Sequence, residues 1–450
     1  MAEKHIAQFE VGFHDAYSKV FSKEYGKPVT AKTVTFIVTE GCTLRCTYCY
    51  EVHKHEGHRM SFETAKKAVD WLYAEDMSGT SDIINDEKAN ALIIEFIGGE
   101  PLMEIDLMHQ IAEYFIYKGM LLDHRWQYNY KFSITSNGTE YFDPRVQAFL
   151  DKYGNKVSMG ITIDGNKELH DACRVDINGN GSFDIVQRAF KDALRRGVTS
   201  STKLTIAPDN LPYLFDALVE LYNYDNITSV AANPIHEHNW TYEEAFLYYT
   251  QLIKLADWLM EDGRYGLYST TLFTEYIGNF QGPESNQNYC GGTGAMISFS
   301  YNGGMYPCTR YVPFALSFRG EDDEMRLGDV DTGWLKTDKA KATFAELEAI
   351  TRRSQSTDEC WECPISTGCG WCSAWNYDLY GTANKRNTFI CNMHKARVMA
   401  NSYFYNKIHI LYDETERMPL NIPDEWALQI IDQKELDMLR EVATPPKEKD

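Results

Sequence analysis

Apolar and polar positions follow two rhythms over the first 260 residues. Short runs rich in β-branched and aromatic residues lie at 33–38 (TVTFIV), 92–97 (LIIEFI), 130–135 (YKFSIT), 158–163 (SMGITI), 202–207 (TKLTIA) and 228–232 (TSVAA), and read as strands. Helical patterns separate them. In SFETAKKAVDWLYAED, residues 61–76, Ser61 is the expected N-cap, Ala65, Ala68, Val69 and Leu72 recur at helical spacing, and Glu63 and Asp76 are expected on the exposed face. Strands that alternate with helices predict an α/β fold with a parallel sheet covered by helices. Six such units over 33–262 are too few for a closed eight-stranded barrel and enough for a partial one. In either a barrel or an open sheet, chemistry collects beyond the C-terminal ends of the strands. Near the C-terminus, PDEWALQIIDQKELDMLREV reads as one amphipathic helix with Trp426, Leu428, Ile431 and Leu439 inward, and ATPPKEKD after it as disordered.

Composition removes several function classes. With 450 residues, 44% of them apolar, the chain can bury a large core and suits two or three domains at roughly one per 150 residues. The opening MAEKHIAQFEVGFHDAY has no basic stretch followed by an apolar run, and no segment approaches the ~18 apolar residues that cross a bilayer, so a cytoplasmic protein without membrane contact is expected. A net charge of −21, spread without long acidic blocks, argues against nucleic acid as a partner.

Eleven cysteines in a reducing compartment point to metal or redox chemistry rather than disulfides. Three lie at 42–49, one at 173 and seven at 290–391. The first group, GCTLRCTYC, follows the first predicted strand. Three thiolates spaced Cys-x3-Cys-x2-Cys can hold three corners of an iron–sulfur cube and leave the fourth iron open. The competing zinc site needs a fourth ligand, which His53, His55 or His58 is near enough in sequence to supply. Haem attachment fails because no Cys-x-x-Cys-His occurs at this loop.

Cys42, Cys46 and Cys49, with Tyr48 at the aromatic position before the last, resemble the hallmark of the radical S-adenosylmethionine (radical SAM) enzymes. The resemblance implies a partial (β/α)6 barrel, a 4Fe-4S cluster on these thiolates, and S-adenosylmethionine chelated at the open iron and cleaved to a 5′-deoxyadenosyl radical. It also implies cofactor contacts at later strand ends. In GGEP, Gly98 and Gly99 let backbone approach and Glu100 pairs with the methionine ammonium; in TSNGT, Ser136 and Asn137 bond ribose or carboxylate. In TIDGNKELHDACR, Thr162 replaces the family's usual serine and Arg174 clamps the methionine carboxylate. The histidines of EVHKHEGHRM read as a solvated loop, Cys173 as a small apolar residue, and His236 and His238, after the sixth strand, as candidates for acid–base or substrate contact.

The tail reads Cys290-x12-Gly303-x4-Cys308, then Cys360, Cys363, Cys369 and Cys372, and finally Cys391. This order resembles the SPASM domain, which carries two auxiliary 4Fe-4S clusters in peptide and sulfatase maturases; Cys369 and Cys372 stand one residue closer than in the family. Carried over, the resemblance assigns Cys360, Cys363, Cys369 and Cys391 to one cluster, and Cys290, Cys308 and Cys372 to another held by three thiolates. A zinc ribbon is the competing reading, and it leaves Cys290, Cys308 and Cys391 without a role.

The expected organisation is therefore an N-terminal extension (1–32), a radical SAM barrel (33–262), a linker (263–284), a SPASM domain (285–410), and a C-terminal helix and tail (411–450). The stretch CPISTGCGWCSAWNYDLYGTANKRNT resembles maturases whose targets carry repeated Cys-x3 units. The implied function is thioether cross-linking of a cysteine-containing precursor peptide that carries a leader, with a reductant such as flavodoxin or ferredoxin. The alternatives are a carbon–carbon cross-linking maturase, a sulfatase-type formylglycine-forming maturase, and a non-enzymatic iron–sulfur electron carrier. Thioether-forming relatives often begin with a leader-gripping module of about 80 residues. Only 32 residues precede the first predicted strand, so leader recognition is expected elsewhere.

Overall fold

Six parallel strands carry the N-terminal half, at β1 (Ala31–Thr39), β2 (Ala91–Gly98), β3 (Tyr130–Ser136), β4 (Val157–Ile161), β5 (Thr202–Ile206) and β6 (Ser229–Pro234). Between and after them run α1 (Phe62–Ser78), α2 (Ile105–Leu121), α3 (Pro144–Tyr153), α4 (Lys167–Cys173), α5 (Phe183–Arg196), α6 (Leu214–Tyr222) and α7 (Tyr242–Met260). The structure, a computed structural model, describes residues 30–446 apart from 82, 86, 225 and 226. Most of the predicted N-terminal extension and the end of the predicted tail lie outside the described residues. Among the described residues, no helix is long and apolar enough to cross a membrane.

The strands form because apolar residues occupy alternate positions and pack outward on the helices. Val34, Phe36, Leu92, Ile94, Phe96, Phe132 and Ile134 are buried, with Phe36 against Phe96 at 6.3 Å and Phe96 against Phe132 at 5.9 Å between ring centres. Truncating one such aromatic to alanine typically costs about 3–5 kcal/mol. The other face holds polar groups, including Thr35, which donates to Glu95 at 2.7 Å.

The hydrogen-bonded sheet is not one continuous partial barrel. β1 to β4 belong to an eight-stranded sheet, whereas β5 and β6 pair with a short β7 (Ser269–Thr270) in a separate three-stranded sheet. At the other edge, β8 (Ile297–Phe299) runs parallel to β1 with Val34 opposite Ile297, and β9 (Gly304–Tyr306), β10 (Gly328–Asp329) and β11 (Gly333–Trp334) continue antiparallel. The cysteine-rich half thus extends the sheet of the N-terminal half. Its remaining helices include α8 (Asp338–Glu348), α9 (Ser373–Tyr380) and α10 (Cys391–Leu411); α10 lies along α7, joined by a hydrogen bond from Tyr403 to Asp257 at 2.7 Å.

Two sequence expectations need correction. Ser61 does cap α1, accepting from Thr64 N–H at 3.0 Å, but Asp76 is buried because Arg125 and His124 bond its carboxylate at 2.7 and 2.9 Å. The expected C-terminal helix is two, α11 (Asp424–Ala427) and α12 (Gln433–Val442), because Asp432 caps a new start; Ile431 and Leu439 are buried as expected, while Leu428 is exposed.

Candidate active site

The cysteine loop leaves the end of β1 and is closed at its base. Glu40 N–H donates to His58 O at 3.0 Å and Met60 N–H to Val38 O at 2.9 Å, while the His58 ring bonds the buried Glu40 carboxylate at 2.7 Å and stacks on Tyr301. His58 is thus a clip between the loop and the β8–β9 turn, and His53 and His55 are exposed. Glu40, His55 and His58 bring ligand atoms within 4.8 Å of one another.

Gly98 and Gly99 are required by this loop. Gly99 N–H donates to Thr39 O at 3.0 Å and Glu100 N–H to Gly41 O at 2.9 Å. A Cβ on Gly98 would lie 2.1 Å from Thr39 O, and one on Gly99 2.2 Å from Gly41 O. The backbone that the glycines admit is therefore the cysteine loop itself. Glu100 is fully buried and accepts from Ser136 Oγ at 2.8 Å, Asn137 N–H at 2.7 Å and Leu102 N–H at 3.0 Å, so its carboxylate ties strand ends together. Burial pushes its pKa up to about 7.

Each sulfur of the loop has a polar neighbour. Asn137 Nδ2 lies 3.7 Å from Cys42 Sγ, Arg174 Nη1 is 3.7 Å from Cys46 Sγ, and Lys54 Nζ is 2.8 Å from Cys49 Sγ. Arg174 also donates from Nε to Asp164 at 2.7 Å and lies 5.3 Å over the Tyr48 ring, whose hydroxyl donates to the same aspartate.

Seven of the other eight cysteines fall into two neighbourhoods: Cys290 and Cys372 help raise the pKa of Cys308, and Cys360 helps raise those of Cys363, Cys369 and Cys391. Cys173 joins neither set and is buried. A cavity of about 750 Å³ opens beyond the strand ends, and both Cys42, Cys46 and Cys49 and Cys290, Cys308 and Cys372 line it. The four-cysteine set lies off this cavity. Burial pushes Cys42 and Cys308 up to about 12 and Cys391 to about 11, so a bound metal must displace their protons. A single zinc about 2.3 Å from each sulfur would hold them about 3.8 Å apart. Among the described residues no three cysteine sulfurs lie within 4.8 Å of one another, the closeness that one zinc held by three of them would require.

Gly98, Gly99, Ser136, Asn137, Thr162, Tyr48 and Arg174 line the cavity; Glu100 does not. The two candidate histidines separate. His236 lines the cavity with Nδ1 buried and unbonded, and burial lowers its pKa to about 4; His238 instead lines an adjoining cavity of about 290 Å³ that shares Tyr48, Cys49, Tyr50, Glu237 and Arg310 with the first, and bonds Glu244 at 2.9 Å. Sequence reading missed Glu51, Lys54, Lys203, Glu237 and Arg310, which also line the cavity. Lys54 and Glu51 flank the cysteine motif, and Arg310 follows Cys308 by two residues, which is a usable signal; Lys203 had only its alternate position in β5. Burial pushes Glu51 up to about 8. Lys203, lowered by burial and by the charge of Arg310, has no hydrogen-bond partner among the described residues.

Residues 36–213 match the family described as the Radical SAM superfamily. The chain is 29% identical over 177 residues to an uncharacterized protein of Methanocaldococcus jannaschii, covering 39% of this chain and 54% of that one, so it spans about half the length of this relative. It is 25% identical over 324 residues to the cysteine-type anaerobic sulfatase-maturating enzyme of Clostridium novyi, covering 69% of this chain and 76% of that enzyme. Among solved structures, anSMEcpe with bound AdoMet and Kp18Cys peptide shares the fold at a TM-score of 0.60 and 18% identity, over 85% of this chain and 99% of that one. Streptococcus suis SuiB bound to precursor peptide SuiA matches at a TM-score of 0.51 and 14% identity, over 86% and 79%.

Proposed function

We propose that this chain, a radical SAM enzyme, joins the sulfur of a cysteine to a carbon atom within a ribosomally made precursor peptide. The observation that carries the reading is that two cysteine sets, Cys42, Cys46, Cys49 and Cys290, Cys308, Cys372, line one cavity while the four-cysteine set does not. A peptide entering that cavity meets both. The likeness to SuiB bound to its precursor peptide and to anSMEcpe bound to AdoMet and a peptide supports a peptide as the occupant.

The residues divide the work. Arg174, held by Asp164, is the proposed partner of the S-adenosylmethionine carboxylate, and Asn137, Ser136 and Thr162, which line the same cavity, are proposed to hydrogen-bond the cofactor. Cys42, Cys46 and Cys49 would hold the 4Fe-4S cluster that, with S-adenosylmethionine bound, would supply a carbon radical able to take one hydrogen atom from the peptide. Forming the C–S bond then releases a proton from the thiol and one further electron. The proposed proton acceptor is His236 Nδ1, which is unpartnered on a ring that lines the cavity. Cys290, Cys308 and Cys372 would hold an iron–sulfur cluster able to accept that electron, and Cys360, Cys363, Cys369 and Cys391 would hold a second. A flavodoxin or ferredoxin is the proposed source of the initiating electron.

Formylglycine formation on a sulfatase is the second reading, favoured by the similarity to a cysteine-type sulfatase-maturating enzyme. Residues 291–307 contain no cysteine to complete the cavity set, which favours the thioether reading. Co-expression with candidate small cysteine-containing precursor peptides, and separately with a sulfatase-type sequence, tests both. A loss of two hydrogens per cross-link, with protection of one cysteine from alkylation, is expected; an aldehyde on an intact sulfatase-type sequence overturns the thioether assignment.

A further inference from the structure

The short stretch Tyr48-Cys49-Tyr50 presents its two tyrosines to two similar clusters of charge. Tyr48 lies under Arg174, which bonds Asp164 and reaches Cys46. Tyr50 lies under Arg310 at 4.6 Å; Arg310 Nη2 donates to Glu237 Oε1 at 2.6 Å, and Nη1 lies 3.4 Å from Cys372 Sγ. Each set of cavity cysteines therefore has one sulfur in contact with an arginine that is stacked on a loop tyrosine and paired with a carboxylate. Glu237 follows β6, Tyr50 belongs to the first cysteine loop, and Cys372 belongs to the tail, so Arg310 joins three segments that are far apart in sequence.

A cation that hydrogen-bonds a thiolate favours the more negative state of whatever redox group that thiolate holds, and net charge and hydrogen bonds to sulfur are the levers that set iron–sulfur potentials. A carboxylate on the same cation opposes that effect. We propose that Arg310 is a positioning residue that raises the reduction potential of an iron–sulfur cluster on Cys290, Cys308 and Cys372, and that Glu237 restrains it. The consequence would be an electron acceptor tuned beside the cavity in which bond formation would release its electron. The inference rests on the reading that these three cysteines hold a cluster.

The test uses full-length, anaerobically reconstituted protein in which Cys42, Cys46 and Cys49 are replaced by alanine, so that only auxiliary signals remain. The midpoint potential is read by electron paramagnetic resonance for the signal that Cys308→Ala removes. Arg310→Gln should move it to lower potential, by roughly a tenfold change in the reduction equilibrium, about 59 mV for one electron. Arg310→Lys should retain part of the effect, and Glu237→Gln should move the potential the other way. Unmoved potentials, or shifts of the same sign for Arg310→Gln and Glu237→Gln, overturn the inference while leaving the cluster assignment standing. If Cys308→Ala leaves iron content and spectrum unchanged, the ligand assignment fails and the inference with it. Should Arg310→Gln not fold, the opposite signs required of Arg310→Lys and Glu237→Gln still decide.

Discussion

Arg174 and Asp164 form a buried pair, with Nε donating to Oδ2 at 2.7 Å and side-chain exposures of 9% and 0%. The pair closes a circuit. Asp164 N–H donates to His170 Nδ1 at 3.2 Å, His170 Nε2 bonds Ser182 Oγ at 3.0 Å, and Ser182 donates to the Arg174 carbonyl at 2.9 Å. The motif D-G-x4-H-D-x2-R thus spaces its polar residues so that aspartate, histidine and arginine hold one another while the guanidinium faces the cavity.

Breaking the pair should cost cofactor binding before it costs the fold. Asp164→Asn is expected to weaken S-adenosylmethionine binding by about 1.5–3 kcal/mol, the scale of a charged hydrogen bond. Arg174→Lys should do no better than Arg174→Ala, because a point charge does not reproduce a stacked, forked donor. Equilibrium dialysis with reconstituted protein measures both, and unaltered affinity in all three variants would show that the cofactor carboxylate lies elsewhere.

The same circuit predicts a pH dependence. His170 is buried, and its pKa is lowered from 6.5 to about 4 by burial. A folded pKa below the unfolded one means that the site's contribution is complete above about pH 6.5 and is lost as pH falls toward 4, by up to about 3 kcal/mol. Urea denaturation at pH 7.5 and 5.0 should therefore show a steeper loss for the parent protein than for His170→Asn. Equal losses would mean that His170 does not titrate on unfolding.

The strand ends were legible because strands alternate over short range, and the first cysteine loop because its three thiols stand within eight residues; the two tail sets came only from a family resemblance, since Cys290, Cys308 and Cys372 share neither a loop nor a short spacing. Long-range pairings were not legible. Nothing near Asp76 announces Arg125, and nothing near Glu237 announces Arg310, although each pair forms a hydrogen bond below 3 Å. The extension of the sheet by β8 to β11 escaped notice because strands of two or three residues carry too little alternation. Glu100 was assigned to the cofactor from its motif, whereas two of its three hydrogen bonds, to residues 136 and 137, depend on the ends of β2 and β3 meeting.

Gly99 should be intolerant of the smallest side chain. An alanine Cβ would stand 2.2 Å from Gly41 O, a backbone atom in the cysteine loop with no side chain to move aside. Gly99→Ala is expected to lower stability by about 1–3 kcal/mol or displace the loop. Iron analysis after reconstitution should show the loss of one cluster, with the auxiliary clusters retained. Full iron content would show that the loop has another resting position.

The cavity position of Cys308 makes the most discriminating prediction, because it separates radical generation from use of the radical. If a substrate thiolate binds an iron of the cluster on Cys290, Cys308 and Cys372, the metal lowers the thiol's pKa and fixes sulfur beside the carbon to be joined. In protein lacking Cys42, Cys46 and Cys49, a cysteine-bearing precursor peptide should then perturb one auxiliary spectrum, and its Cys→Ala form should not. In that background Cys308→Ala should abolish the response; in otherwise unaltered protein it should abolish the cross-link while uncoupled cleavage of S-adenosylmethionine continues. Cys363→Ala, from the set that lies off the cavity, should lose iron but keep the response. A spectrum indifferent to the peptide's cysteine would remove direct thiolate ligation; both auxiliary clusters would then act as electron conduits, and carbon–carbon cross-linking or formylglycine formation would become the better account of the same cavity.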